Sequence, residues 1–108
     1  MNLVVIESPY TGNSPTHILK NVVYARRCLR DCIARGELPF ASHLLYTQCL
    51  NDAELQDREL GISLNLEMVT RCDYLVVYTD LGQTPGMKRA IVHAARQQKP
   101  IHYRTLNE

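Results

Sequence analysis

The residues of this chain best suited to chemistry stand just beyond its apolar runs. Glu7 closes the run Leu3–Glu7, and Ser8-Pro9-Tyr10-Thr11 follows it. Asp80 and then Thr84-Pro85-Gly86-Met87 come after the run Tyr74–Tyr78. His43 and Tyr46 follow a shorter segment, Leu38–Ser42. Thr84-Pro85 is a helix cap with proline at the first helical position. Such a start offers backbone N–H groups without intrahelical acceptors, at the positive end of the helix dipole. The N–H groups of Gly86 and Met87, with the Thr84 hydroxyl, could hold a phosphate, and Gly86 permits close backbone approach. Capping alone explains Thr84 equally well. Tyr10 suits stacking on a base, or packing over a sheet edge. His43 suits a ligand contact, or a bond to a backbone carbonyl. Glu7 and Asp80 are the carboxylates available for catalysis. Glu7 also suits a sugar hydroxyl or a backbone N–H, and Asp80 in Thr79-Asp80-Leu81-Gly82 also suits a turn. His17, His93 and His102 show no partner pattern.

These residues need elements to position them. Leu3–Glu7 reads as a buried parallel strand. Ser14-Pro15 caps a helix from about Pro15 to Arg35, with Ile18, Val22, Ala25, Leu29 and Cys32 as its apolar stripe and Gly36 closing it. Arg26, Arg27 and Arg30 fall on its solvated side. Leu38–Ser42 is a second strand, and His43–Cys49 a loop or short helix. Asp52 suits the cap of a helix over about Ala53–Arg71, which Gly61 can interrupt. Tyr74–Tyr78 is a central strand, a helix runs from Thr84 to about Gln98, and Pro100–Arg104 is the last strand. Strands alternating with helices imply an α/β fold with a parallel sheet of four to five strands and right-handed crossovers, in one domain over residues 1–108. With strand order about 2-1-3-4, the first and third strands are neighbours. Ligands then sit beyond their carboxyl ends, with both Ser/Thr-Pro helix starts facing one crevice.

Composition narrows the partners. With 108 residues there is room for one core. A net charge of +1 excludes broad electrostatic binding to DNA, RNA or membrane. The N-terminus has no signal-peptide pattern and no segment reaches the roughly 20 apolar residues of a membrane span, so a cytoplasmic protein is expected. Disulfides are not expected for Cys28, Cys32, Cys49 and Cys72 in that setting. Cys28 and Cys32 lie four apart on a helix, but no second Cys/His pair has zinc spacing, so neither metal nor cofactor is expected.

Four segments, in register and spanning nearly the whole chain, carry a resemblance. They are Glu7-Ser8-Pro9-Tyr10-Thr11, Pro39-Phe40-Ala41-Ser42-His43, Cys72-Asp73, and Thr84-Pro85-Gly86-Met87 with Ala94 and Lys99-Pro100-Ile101. Together they resemble the nucleoside 2-deoxyribosyltransferase-like superfamily, and in particular its small members common in bacteriophage genomes. The resemblance implies a flavodoxin- or Rossmann-like three-layer sandwich, a nucleoside or nucleotide pocket, and a homo-oligomer, a dimer or higher, with sites near subunit interfaces. It implies that Tyr10 lines the pocket, that Thr84 and Gly86 meet a 5′-hydroxyl or phosphate, and, more loosely, that His43 takes part. Enzymes of the superfamily attack the anomeric carbon with a glutamate. Counted from Gly86 that residue falls at Ala90, flanked by Lys88, Arg89 and Ile91.

Three functions follow. The first is a non-catalytic nucleotide-binding protein. In a phage it would be a sponge for a nucleotide immune messenger such as a cyclic oligonucleotide or an ADP-ribose derivative, acting in the host cytoplasm. Its ligand residues are Ser8, Pro9, Tyr10, Thr11, His43, Tyr46, Asp80, Thr84, Pro85, Gly86 and Met87. The second is an N-glycosidase or deoxyribosyltransferase on nucleosides or nucleoside 5′-monophosphates, with Glu7 or Asp80 as catalytic carboxylate. The third is a protein-interaction module that has kept the fold and lost the pocket. Retention of both the Ser8–Tyr10 and Thr84–Met87 segments argues against the third.

Overall fold

A computed structural model, which describes residues 1–106, has four strands: β1 (Leu3–Glu7), β2 (Leu38–Phe40), β3 (Tyr74–Tyr78) and β4 (Ile101–Arg104). They form one parallel sheet in the order β2-β1-β3-β4. β1 and β3 are central, and Val4, Val5, Ile6, Leu75, Val76, Val77 and Tyr78 are fully buried. Val4 pairs with Tyr74 and Glu7 with Val77, so the two strands end nearly level. Side chains alternate between faces every residue. Val4, Ile6, Val76 and Tyr78 pack with Tyr24, Cys28 and Cys32 of helix α1 (Pro15–Ala34). Val5, Leu75 and Val77 pack with Val69 of α3 (Leu55–Arg71) and Met87 and Ala94 of α4 (Pro85–Arg96). A one-turn helix α2 (Ser42–Leu45) and a 3₁₀ turn over Tyr46–Gln48 follow β2. The three-layer α/β architecture and strand order are those expected. Among the described residues no helix is long and apolar enough to cross a membrane.

Local details differ from the sequence reading where long-range packing decides. The buried face of α1 is Asn21, Tyr24, Ala25, Cys28 and Cys32, while Ile18, Val22 and Leu29 are half-buried. The face is turned because Tyr24 and Asn21 have polar partners to reach: Tyr24 donates to Asp80 Oδ2 at 2.6 Å, and Asn21 Nδ2 to the Tyr10 and Thr11 carbonyls at 3.1 Å each. β2 stops at Phe40, two residues short of the expected end. α3 begins at Leu55 with Glu54 at its cap and no side-chain cap bond, so Asp52 does not cap it. It runs through Gly61 without a break, because tertiary packing outweighs about 1 kcal/mol of glycine propensity.

The ends of α1 and α4 share one geometry. After α1, the Gly36 N–H meets Ile33 O and the Glu37 N–H meets Cys32 O, with Gly36 at φ +80°. After α4, the Gln98 N–H meets Ala95 O and the Lys99 N–H meets Ala94 O, with Gln98 at φ 58°. Both are left-handed helix stops, which favour glycine. The second one carries a side chain there.

On the α1 face, Arg104 at the end of β4 reaches the carboxylate of Glu37. Its Nη1 and Nη2 donate at 2.7 and 2.6 Å, and Tyr74 donates its hydroxyl to the same carboxylate. Both charged side chains are nearly buried, at 12% and 7% exposure. The guanidinium holds the Glu37 carboxyl down at about 2. This fork ties edge strand β4 to the α1–β2 turn across the sheet.

Gln98→Gly is expected to stabilise the fold by about 1 kcal/mol, as the left-handed residue no longer needs a Cβ; urea unfolding measures it. Glu37→Gln is expected to cost about 3 kcal/mol near neutral pH, because it leaves Arg104 buried without its partner charge. The Glu37 contribution is complete above the ordinary value of 4.5 and is lost as pH falls through about 2. Unfolding midpoints taken down to low pH should therefore show a shallower acid decline in the variant than in the parent.

Candidate functional site

Beyond the carboxyl end of β1 the chain encloses a cavity of about 220 Å³. Its walls come from the β1–α1 loop, α2 and the 3₁₀ turn, the outer half of α3, and the first turns of α4. Its floor follows from the alternation along β1. Glu7 has the parity of Val5, so it points to the α3/α4 side, where the helices leave space above the strand end. Glu7 is 6% exposed, and its Oε2 accepts from Asn65 Nδ2 at 2.9 Å. Burial pushes its carboxyl up to about 8, against the opposing pull of that hydrogen bond. The floor of the cavity is therefore a largely neutral carboxylic acid at pH 7.

Ser8 is buried beside it, with Oγ 2.7 Å from His43 Nε2. Desolvation lowers His43 to about 4, so this imidazole is neutral at pH 7 and its hydrogen bond is one between uncharged groups. The tautomer decides which of the two donates. Tyr10 and Thr11 are carried into the wall by the bonds from Asn21. Tyr46 meets Phe40 edge-on, with ring centroids 6.1 Å apart, and lines the opposite wall. Thr84 Oγ1 accepts the Met87 N–H at 3.2 Å. The Met87 amide expected for a phosphate is thus already used by the cap. The Gly86 amide, without an intrahelical acceptor by helix geometry, remains on the cavity wall.

Glu7, Ser8, Tyr10, Thr11, His43, Tyr46, Thr84, Pro85, Gly86 and Met87 all line the one cavity. Pro9 and Asp80 do not. Asp80 has the other parity. It follows Tyr78 on the α1 side, where its Oδ2 accepts from the Tyr24 hydroxyl at 2.6 Å and the Leu106 N–H at 2.9 Å, and the Tyr24 bond holds its carboxyl below the usual range. Of the two carboxylates available for catalysis, Glu7 thus lies at the cavity and Asp80 on the opposite face of the sheet. The start of α1 is likewise off the cavity: Ser14 caps its own helix by accepting the His17 N–H at 3.1 Å. α3 takes the place of that second helix start. Ala90 is 1% exposed under α4 and does not line the cavity. Lys88 is exposed and also lies off it.

Sequence reading missed the α3 wall: Leu55, Arg58, Glu59, Ile62, Asn65 and Leu66. One signal was present. Asn65 lies one helical turn before the buried Val69, a polar residue on the apolar stripe. Three carboxylates of the lining (Asp52, Asp57, Glu59) stand against two guanidiniums (Arg58, Arg89). Arg89 is already forked onto Glu59, at 3.2 Å to each oxygen. The wall charge therefore does not favour a polyanion, and the site is suited to a ligand that is mostly neutral and rich in hydrogen-bonding edges.

No curated protein matches the sequence. Among solved structures, a 2-deoxyribosyltransferase from the psychrotolerant bacterium Bacillus psychrosaccharolyticus, described as a biocatalyst for the synthesis of antiviral and antitumoral nucleosides, is similar in fold. The TM-score is 0.67 at 18% identity, over 95% of this chain and 72% of that one. At that identity the likeness shows the fold. Residues 2–104 match the family described as "Domain of unknown function (DUF7768)", and on that match, which takes in the whole sheet and the cavity walls, the chain belongs to this family.

Proposed function

We propose that this chain binds a nucleoside or nucleotide in the cavity and does not break its glycosidic bond. The observation that carries this reading is the burial of Glu7, whose carboxyl forms the cavity floor among the described residues. Glu7 is buried and largely neutral at pH 7, and a neutral carboxylic acid is a weak nucleophile but a good hydrogen-bonding group. Ala90, where the resemblance leads one to expect the nucleophile, offers no functional group. The position at the carboxyl end of a parallel sheet, in a fold shared with a 2-deoxyribosyltransferase, supports a nucleoside-like ligand.

The size of the cavity bears on the ligand. About 220 Å³ is below the roughly 300–1,000 Å³ of pockets for drug-sized molecules. One nucleoside unit is the appropriate scale. A cyclic oligonucleotide or an ADP-ribose derivative would extend past this wall, with the Gly86 amide or a second copy of the chain meeting the rest. Exposed Leu60 and Leu64 on α3 and Val92 on α4 suit a homo-oligomer. A binder of this kind without turnover acts as a sink for its ligand in the cytoplasm, which is the sequestration reading of a phage protein.

One observation favours a second reading. A buried carboxyl raised to about 8 is also what a general acid requires. Glu7, with Asp80 off the cavity, would then be the residue of an N-glycosidase.

Calorimetric titration against nucleosides and their 5′-monophosphates, followed by chromatography of the recovered ligand, separates the readings. Saturable binding with the ligand recovered intact is expected, and Asn65→Ala should weaken it about tenfold through loss of a buried hydrogen-bonding partner. No binding across the panel would sink the proposal. Free base in the recovered fraction, absent for Glu7→Gln, would establish the second reading instead.

A further inference from the structure

The cavity floor holds two planar side chains whose hydrogen bonding is incomplete. Asn65 Nδ2 donates to Glu7 Oε2, and Asn65 Oδ1 has no partner among the described residues. Both residues are more than nine-tenths buried, at 8% and 6% exposure, and both line the cavity. A buried acceptor without a partner is costly, so a ligand group that satisfies it gains that difference.

What the pair can satisfy depends on the Glu7 proton. An ionised Glu7 leaves two acceptors at the cavity floor, its own Oε1 and the buried Asn65 Oδ1. They match a pair of O–H donors, such as a sugar diol. A neutral Glu7 turns one acceptor into a donor. With the amide as found, an O–H on Oε1 stands beside Oδ1. With the amide turned over, Glu7 donates to Oδ1, and its carbonyl oxygen stands beside the Nδ2 donor. Either arrangement presents one donor next to one acceptor. That is the complement of an acceptor next to a donor, an edge that adenine and cytosine present as an amidine and uracil and guanine as a lactam.

We propose that Glu7 enters the complex as a neutral carboxylic acid and, with Asn65, reads a donor–acceptor edge of a nucleobase, so that ligand affinity falls when Glu7 ionises. This rests on the nucleoside reading above. The surroundings favour the neutral form. The titratable groups that share the cavity are Tyr10 from the β1–α1 loop, His43 and Tyr46 from α2 and the turn after it, Asp52 before α3, Asp57, Arg58 and Glu59 on α3, and Arg89 on α4. His43 is neutral, Arg89 is bound to Glu59, and β3 contributes Val77 opposite Glu7. Among the described residues no cation is hydrogen-bonded to the Glu7 carboxyl; burial opposes its ionisation, and the Asn65 hydrogen bond offsets that.

Two measurements test this, and they fail separately. Carbon-detected NMR of the free protein, with Glu7→Gln identifying the Glu7 carboxyl signal, should show its titration with a midpoint at about 8; a midpoint near the ordinary 4.5 would overturn the proposal whatever binds. Calorimetry with adenosine and with cytidine, neither of which titrates in this range, is then run at about pH 6 and about pH 10, roughly two units either side. Affinity should fall about tenfold or more at the higher pH, and that fall should vanish in Glu7→Gln, whose amide also carries a donor beside an acceptor. Equal affinity of the parent chain at both pH values, or ribose binding as well as the nucleosides do, would overturn it. A raised midpoint with no nucleoside bound at either pH would overturn the function proposed above, and the base-edge role with it.

Discussion

The two-residue alternation of β1, locked by pairing on both sides, is the constraint on which the site depends. β1 is held between β2 and β3, with Val5 opposite both Phe40 and Leu75. A slip of one residue would exchange Val5 and Glu7 with Val4 and Ile6, moving a carboxyl into the layer under α1 and burying it against aliphatic side chains. In the correct register Glu7 is the one residue of its face beyond the packed core. α3 and α4 meet over Val5 and Val77 and part over Glu7. The same parity rule on β3 sends Tyr78 and Asp80 to α1. Two carboxylates that follow neighbouring strands thus serve different layers, one as a cavity floor and one as a partner for Tyr24.

The two faces of the sheet handle buried polarity by opposite means. Under α1, charge is buried with its counter-charge. Glu37 and Arg104 form a fork, Tyr74 adds a third bond, and the Glu37 carboxyl stays ionised. Tyr78 donates to Asp31 at 2.7 Å in the same layer, which strengthens the tie between α1 and β3. On the α3/α4 face Glu7 has only an amide for company, so burial wins and the proton stays on. The first arrangement is complete and serves the fold. The second leaves Asn65 Oδ1 without a partner among the described residues, a deficit that is rare in folded proteins.

Much of this was legible along the chain, for identifiable reasons. Leu3–Ile6 and Tyr74–Tyr78 are continuous apolar runs, so their place at the sheet centre follows from composition alone. Thr84-Pro85 and Ser14-Pro15 mark helix starts because proline without an N–H fits only there, and both positions hold. Gly36 marks the end of α1, but Gln98 gives no such mark for α4: its left-handed backbone is imposed by the Schellman-type bonds around it. The role of α3 was hidden for a related reason. Its apolar pattern is weak and its first three turns face a cavity, so the residues that line the site look like surface residues when read in sequence.

The sequence by itself determined the alternation of strands and helices, the parallel sheet, and the end of the sheet at which Glu7, His43 and Thr84 gather. Those depend on local propensity, apolar run length and chain connectivity, all of which are written in neighbouring residues. Packing decided that Asp80 leaves the site, that Asn65 joins it from 58 positions away, and that burial raises the Glu7 carboxyl. Those outcomes depend on which face a side chain takes and on how much water its neighbours exclude, and both arise only when distant segments meet.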